Sequence, residues 1–156
     1  MSAGVRRSLS LLFLYIMNVI EEIGTDSSIE LLIKAAKEQG NIFAREFRKE
    51  YSSDLSPLEV AEKVYCKFMK DVGAEVHSYE RGNDSSSFII YDCPFFDAFL
   101  DVGINCGIFL EGLCSNLTLP TVQTALSNYG INVRVEATRC KNSSEDFCIE
   151  KVSLVN

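Results

Sequence analysis

The stretch that decides the fold is residues 131–154, INVRVEATRCKNSSEDFCIEKVSL. Apolar and polar side chains alternate over 131–138 and again over 147–154, a pattern typical of strands that bury one face. The polar segment between the two runs predicts a turn, so the whole stretch is expected to be a hairpin. Cys140 and Cys148 stand on either side of that segment, where a hairpin brings two side chains close together.

A second hairpin is predicted upstream, from runs at 75–79 and 87–91 that flank the turn-forming Gly82-Asn83-Asp84. Two short helices are predicted at 95–102 and 105–115, and a third after Pro120. The second half of the chain is therefore expected to form an antiparallel sheet of about four strands with inserted helices.

The first half of the chain has the periodicity of helices. A long helix is predicted from Ser27 to about Tyr51, with Ser27 and Glu30 as its capping box. Another is expected from Ser56 to Gly73, where the serine caps the helix and a proline takes the first helical position. Helices followed by an antiparallel sheet predict an α+β fold, in which N-terminal helices pack on the sheet.

The first helix is predicted over residues 8–23, ending at Gly24. Its apolar run at 9–20 follows Arg6 and Arg7 and so resembles a secretory signal. We favour a buried or dimer-forming helix, because the run lacks a small-x-small cleavage site and is too short to span a bilayer. A cytoplasmic location and no membrane span are therefore expected.

Length and charge limit the classes of function. The 156 residues suit one domain, 1–156. The formal net charge of -7 disfavours direct binding to nucleic acid or to anionic lipid.

Five of the six cysteines lie in the second half of the chain. Thiolates supplied by a hairpin and by a helix start can converge on a zinc ion, and Cys106 is predicted to start a helix. Cysteine is also a small apolar residue that cores bury readily, which is the simpler interpretation of Cys66. If the chain were exported, a disulfide between Cys140 and Cys148 would be the third possibility.

Several short segments resemble the 4-vinyl reductase domain family: DCPFF at 92–96, CGIFLEG at 106–112, VEATRC at 135–140 and CIE at 148–150. The resemblance covers about the last 65 residues. It implies a domain that binds small, often hydrophobic molecules and forms dimers through its helices. The implied fold is similar to that of vesicle-tethering transport particle subunits.

The same resemblance implies a zinc ion next to the ligand pocket, with Cys106, Cys140 and Cys148 among its ligands. The family's usual glutamate is replaced here by Ala137, which leaves the fourth ligand open. Cys93 is preferred, because the Cys93-Pro94 start looks like the amino-thiazoline-carboxylate hydrolase-like branch. The remaining candidates for that place are Cys114, His77 and Glu136.

The leading hypothesis is a zinc-containing binding or sensory domain, rather than an enzyme, that signals through a partner protein. Its apolar pocket wall is predicted to consist of aromatic and aliphatic residues of the second half, namely Phe88, Ile90, Phe95, Phe96, Phe99 and Phe109.

Two alternatives stay open. One is a zinc- or thiol-dependent hydrolase of a small cyclic substrate, since catalytic zinc keeps an open position for water. The other is a dimeric scaffold, whose contact face would be formed by the apolar residues of the first helix, Leu11, Leu12, Tyr15, Ile16 and Val19.

Overall fold

A computed structural model describes residues 3–49, 54–102 and 114–155. Within these ranges five α-helices accompany one four-stranded antiparallel sheet, so the predicted α+β class is confirmed. The helices are α1 (Ala3–Ile23), α2 (Thr25–Phe47), α3 (Pro57–Asp71), α4 (Pro94–Asp101) and α5 (Leu119–Ser127), the last preceded by a π-helical turn, Cys114–Thr118. The strands are β1 (Val76–Arg81), β2 (Ser85–Ile90), β3 (Val133–Arg139) and β4 (Cys148–Leu154).

The two predicted hairpins are both present, and they join through β2 and β4 to give the strand order β1-β2-β4-β3. In the β2–β4 pair, Ile90 lies opposite Cys148. In the β3–β4 pair, Arg139 lies opposite Ile149. The end of β2, the end of β3 and the start of β4 therefore meet at one end of the sheet.

Helix α3 begins as its sequence predicts. The Ser56 hydroxyl accepts the Glu59 backbone N–H, and the Glu59 carboxylate accepts the Ser56 backbone N–H in return. The reciprocal bonds satisfy two backbone donors that the first helical turn leaves free. The helix ends before Gly73, whose φ of 88° suits a residue without a Cβ.

The predicted start of α2 is wrong. The helix begins at Thr25 with Gly24 as its N-cap, and no side chain forms a capping bond there. Gly24 adopts a φ of 83°, which lets the chain reverse between α1 and α2 within one residue and places Ser27 inside the first turn. The helix ends at Phe47, and the predicted end at Tyr51 lies outside the described residues.

The inserted helices are confirmed where the structure describes them. Helix α4 spans Pro94–Asp101 against the predicted 95–102, and α5 contains Pro120. The helix predicted at 105–115 lies almost wholly outside the described residues, apart from the first residues of the π turn.

The buried apolar residues form a main core and a smaller one. The main core fills the space between α2, α3, α5 and the sheet. The smaller core joins α1 to α4 through Phe13, Ala98 and Phe99, and Phe95 contacts both. No helix in the described part of the chain is both long and apolar enough to cross a membrane.

Candidate functional site

Two of the predicted metal ligands flank the loop of the last hairpin, where Cys140 follows β3 and Cys148 begins β4. Arg139 pairs with Ile149, so continuing the antiparallel register by one residue sets Cys140 opposite Cys148. The backbone N–H of Lys141 donates to the Cys148 sulfur at 3.3 Å, which ties the residue after Cys140 to the opposite strand. The hairpin therefore brings together the two cysteines that the sequence singles out.

The loop between these cysteines is closed by Asp146. Its carboxylate accepts the backbone N–H groups of Phe147 at 2.9 Å and Asn142 at 3.2 Å, and it pairs with Arg139 at 2.7 Å. These partners, the Phe147 amide first, lower the pKa of Asp146. The loop is thus held by one anchored carboxylate, together with the turn in which the Asp146 N–H donates to the Ser143 carbonyl oxygen at 3.3 Å.

Cys93 approaches the same end of the sheet from β2. It follows the strand by three residues and is the N-cap of α4, with only 7% of its surface exposed. Burial raises the pKa of its thiol, whereas the amides of Phe96 and Phe95 at the helix start oppose that rise without forming a capping hydrogen bond. Cys93 is therefore a buried thiol with amide dipoles directed toward it.

The thiols act on one another electrostatically. Burial raises the pKa of Cys148 to about 11; the Lys141 amide opposes the rise, and Cys93 and Cys140 add to it. The pKa of Cys114, at the start of the π turn, lies well above its usual value because of burial and then because of nearby Glu150 and the other three cysteines. Four cysteines thus share one neighbourhood.

Glu150 and Tyr65 form the polar centre of this neighbourhood, and neither was among the site residues predicted from the sequence. The Glu150 side chain is 1% exposed and accepts the Tyr65 hydroxyl at 2.7 Å. Burial raises the pKa of Glu150, and Tyr65 and then Cys114, as donors, oppose the rise. The sequence could have indicated Glu150, because the alternation of side chains along a strand places it on the same buried face as Cys148 and Val152.

Lys141 is the second charged residue buried here, at 4% exposure. Its ammonium donates to the carbonyl oxygen of Tyr91 at 2.8 Å and lies 4.6 Å from the centre of the Phe96 ring. It lies close enough to Cys93 to lower the pKa of that thiol, against the larger effect of burial.

The donor types of a zinc site are therefore gathered, but not at coordinating distance. Among the described residues, no three histidine, cysteine or acidic side chains are placed to hold a metal ion. The predicted ligand Cys106 lies outside those residues. His77 and Glu136, two of the alternatives for the fourth ligand, lie elsewhere on exposed or half-buried surface. His77 pairs with Glu75, and Glu136 pairs with Arg134.

The predicted pocket wall is packed core in the described structure. Phe88, Ile90 and Phe96 belong to the main core, and Phe88 stacks on Tyr65 with ring centres 4.4 Å apart. Phe95 and Phe99 pack edge-on against Phe13, and Phe109 lies outside the described residues. That these residues line a ligand pocket stays a prediction.

An apolar groove of about 200 Å³ lies between α1 and α2. Four of the five residues predicted to form a dimer face line it, and the fifth, Leu11, is 68% exposed. The groove is lined chiefly by Leu12, Tyr15, Ile16 and Val19 of α1 and by Leu31 and Leu32 of α2.

This fold is shared with several solved domains, although neither a family model nor a curated protein matches the sequence. The trafficking protein particle complex subunit 3 from Naegleria fowleri, solved covalently bound to palmitic acid, matches at a TM-score of 0.66 with 17% identity, over 96% of each chain. The similarity in fold to vesicle-tethering subunits is therefore confirmed.

Sensory domains match as well. The phenol-responsive sensory domain of the transcription activator PoxR, solved with phenol, gives a TM-score of 0.68 with 13% identity, over 94% of this chain and 74% of that one. An Fe(II) unliganded H-NOX protein from K. algicida gives 0.58 with 9% identity, over 90% and 70%. At such identities the likeness establishes the fold alone, and the 4-vinyl reductase resemblance stays a prediction.

Proposed function

We propose that this chain is a sensory or binding domain for a small, hydrophobic molecule, built around a zinc ion held by cysteines. The observation that carries the proposal is the convergence of Cys93, Cys140 and Cys148 at one end of the sheet, from three different segments. Soft thiolates are the ligands that structural zinc prefers.

The chemistry of the neighbouring side chains fits zinc. Burial raises the pKa of Cys148, nearby Cys93 and Cys140 add to the rise, and the Cys148 sulfur already accepts the Lys141 amide N–H. Cys106 is the remaining predicted ligand, and Cys114 and Glu150 are further candidates because they lie in the same buried neighbourhood. A zinc ion would supply a positive centre that draws the thiolates together, after a small shift of the loop that follows Cys140.

The small-molecule part of the proposal has independent support. Domains of the same fold include one solved with phenol and one solved with covalently bound palmitic acid, both hydrophobic ligands. In this chain Phe88 stacks on Tyr65, and the Lys141 ammonium lies over the ring of Phe96. Apolar walls and polar groups therefore meet at the cysteine end of the sheet. Binding sites commonly combine these two features.

The output of such a sensor is proposed to be a homodimer or a partner protein contacted by α1. Leu11 and Tyr15 leave 68% and 64% of their surfaces exposed, and the apolar groove adjoins them. Exposed apolar patches of this kind commonly mark interfaces. A cytoplasmic location and membership of the 4-vinyl reductase family belong to the same proposal.

Of the two alternatives, a thiol-dependent hydrolase is the less supported. Cys114 lies beside the Glu150 carboxyl as a nucleophile lies beside its base, but burial raises the pKa of both groups. A buried protonated thiol is a poor nucleophile. A scaffold without a ligand would lack zinc and would keep only the dimer face.

Metal analysis of the purified chain, expressed with zinc supplied, tests the proposal. We expect about one zinc per chain, and a loss of most of it in Cys140→Ser and in Cys148→Ser. Cys66→Ser is the matched control, since Cys66 lies on α3 outside the cluster and should leave the zinc content unchanged. Less than about half an equivalent in the unmodified chain would contradict the zinc proposal.

A further inference from the structure

The charges of α1 are arranged against the dipole of the helix itself. The helix has Arg6 and Arg7 near its start and Glu21 and Glu22 near its end, with no acidic residue in its first turn and no basic residue in its last. The reverse order stabilises a helix, because its N-terminal end is partially positive and its C-terminal end is partially negative. The stability of α1 alone therefore does not account for this pattern.

The chain itself neutralises only part of this charge. Arg6 forms an ion pair with Asp101 of α4. Among the residues that the structure describes, Arg7 and Glu22 are both exposed, and neither lies in an ion pair. These two opposite charges stand eight residues before Tyr15 and seven residues after it.

An exposed stripe runs along α1 between the two ends. Its residues recur at steps of four and three, and all are exposed, namely Gly4, Ser8, Leu11, Tyr15, Asn18 and Glu22. Side chains with this spacing lie on one side of a helix, where they can pack against a second helix. Leu11 and Tyr15, at the centre of the stripe, are large apolar side chains in solvent, which is typical of an interface.

We infer that two copies of this chain pair antiparallel along the stripe, with the two Tyr15 residues at the twofold axis. In that arrangement Leu11 meets the partner's Val19, at the apolar groove that Val19 lines. Arg7 comes within a helical turn of the partner's Glu22, and the twofold symmetry repeats each contact. This pairing rests on the proposed homodimer, and it commits the contact face to a second copy rather than to a different protein.

The antiparallel orientation follows from charge complementarity. Each end of α1 comes to lie beside the oppositely charged end of the partner helix, so the two helix dipoles also oppose each other. Asp26, in the first turn of α2, adds negative charge at the end that receives the partner's Arg7. A parallel pair would instead place Arg7 beside Arg7 and Glu22 beside Glu22, and these like charges would repel each other.

Charge reversal in the full-length chain tests the orientation. Arg7→Glu and Glu22→Arg each replace two symmetry-related attractions by two repulsions, so each should raise the dimer dissociation constant about tenfold at low salt. The double variant restores opposite charges across the axis, and its dissociation constant should return close to that of the unmodified chain. Sedimentation velocity over a dilution series measures all four proteins. Lys63→Glu is the matched control, because it changes the net charge as Arg7→Glu does, at an exposed site on α3.

Two further measurements separate a charge contact from a change in the helix. Both single reversals suit the dipole of α1, so circular dichroism should show that helix content is retained while the dimer weakens. Raising the salt to about 1 M should bring the single variants and the unmodified chain closer together, because exposed charges are then screened. A loss of helix, or a difference that salt leaves intact, would overturn the antiparallel pairing.

The dissociation constants distinguish the orientation from the dimer itself. If neither single reversal changes the constant, or if the double variant stays as weak as the single ones, the antiparallel pairing is overturned and the dimer stands on another contact. If the unmodified chain is a monomer, the homodimer and this pairing are removed together, and the stripe is left to a different partner protein.

Discussion

Tyr65 of α3 donates its hydroxyl hydrogen to the carboxylate of Glu150 of β4 at 2.7 Å, in a region where both side chains are at most 1% exposed. The bond joins α3 to β4, two residues along the strand from Cys148. Because burial raises the pKa of both groups, each depends on the other to offset the loss of water.

Removing this donor should be costly. In Tyr65→Phe the Glu150 carboxyl keeps, among the described residues, the weaker donor Cys114, so we expect a loss of about 1–3 kcal/mol in the free energy of unfolding. Urea denaturation followed by circular dichroism measures it. Tyr79→Phe is the control, since Tyr79 is 59% exposed and should change stability by less than about 0.5 kcal/mol. Equal effects of the two changes would show that the buried bond contributes little.

At Gly40 the backbone of α2 passes close to α5. A Cβ atom there would lie 2.5 Å from the Thr121 carbonyl oxygen and 2.8 Å from the Thr124 Cβ. Gly40→Ala should therefore destabilise the protein by about 1–3 kcal/mol, although alanine is the better helix former. Gly4→Ala in α1 meets nothing within 4 Å and should be neutral or stabilising. Thermal unfolding of the two variants compares them, and a stable Gly40→Ala protein would contradict the close crossing.

Phe13 anchors α1 to α4. It is fully buried, and its ring packs edge-on against Phe99 at 5.4 Å between centres. Phe13→Ala should cost about 3 kcal/mol and should increase hydrogen exchange in α1 and α4 before the sheet opens. Leu14→Ala, at a site that is 49% exposed, should leave exchange as it is. Uniform acceleration across the whole chain would argue against a separable small core.

The dimer proposal predicts that a charge on the exposed face of α1 separates the protomers. Tyr15→Glu should give a monomer by size-exclusion chromatography with light scattering, because a carboxylate buried in an apolar interface is strongly disfavoured. Tyr79→Glu, on β1, should leave the mass unchanged. A monomeric unmodified protein would contradict the dimer proposal outright.

The metal-free thiol of Cys148 should resist alkylation. With a pKa of about 11, only about one molecule in a thousand carries the thiolate at pH 8. Labelling at Cys148, followed by peptide mass spectrometry, should be slow at pH 8 and should accelerate as the pH rises toward 11. The denatured chain, in which the thiol regains its ordinary pKa, is the control, and equal labelling of folded and denatured protein would contradict the burial.

The same shift has a consequence for stability. The folded-state pKa of Cys148 is raised above the unfolded value, so the buried neutral thiol contributes stability below about pH 9 and loses it as the pH approaches 11. Cys148→Ala should flatten this alkaline decline.

The sequence determined most of the elements of this protein, because their signals are local. The Ser56 cap, the alternation over 131–154 and the glycines after helices act within a few residues, and the structure contains each element that they predict within the described ranges. The start of α2 was missed because Gly24 permits a one-residue reversal that displaces the expected Ser27 cap.

Tertiary structure alone decided what surrounds the cysteines. Tyr65 and Glu150 are 85 residues apart, and the Lys141 ammonium meets a carbonyl group 50 residues away. Such contacts depend on the pairing of β2 with β4 and on the packing of α3 against the sheet, neither of which has a local signature. The sequence therefore pointed to Cys140 and Cys148 as neighbours in one hairpin, whereas the buried acid and the buried cation beside them became visible only in the folded chain.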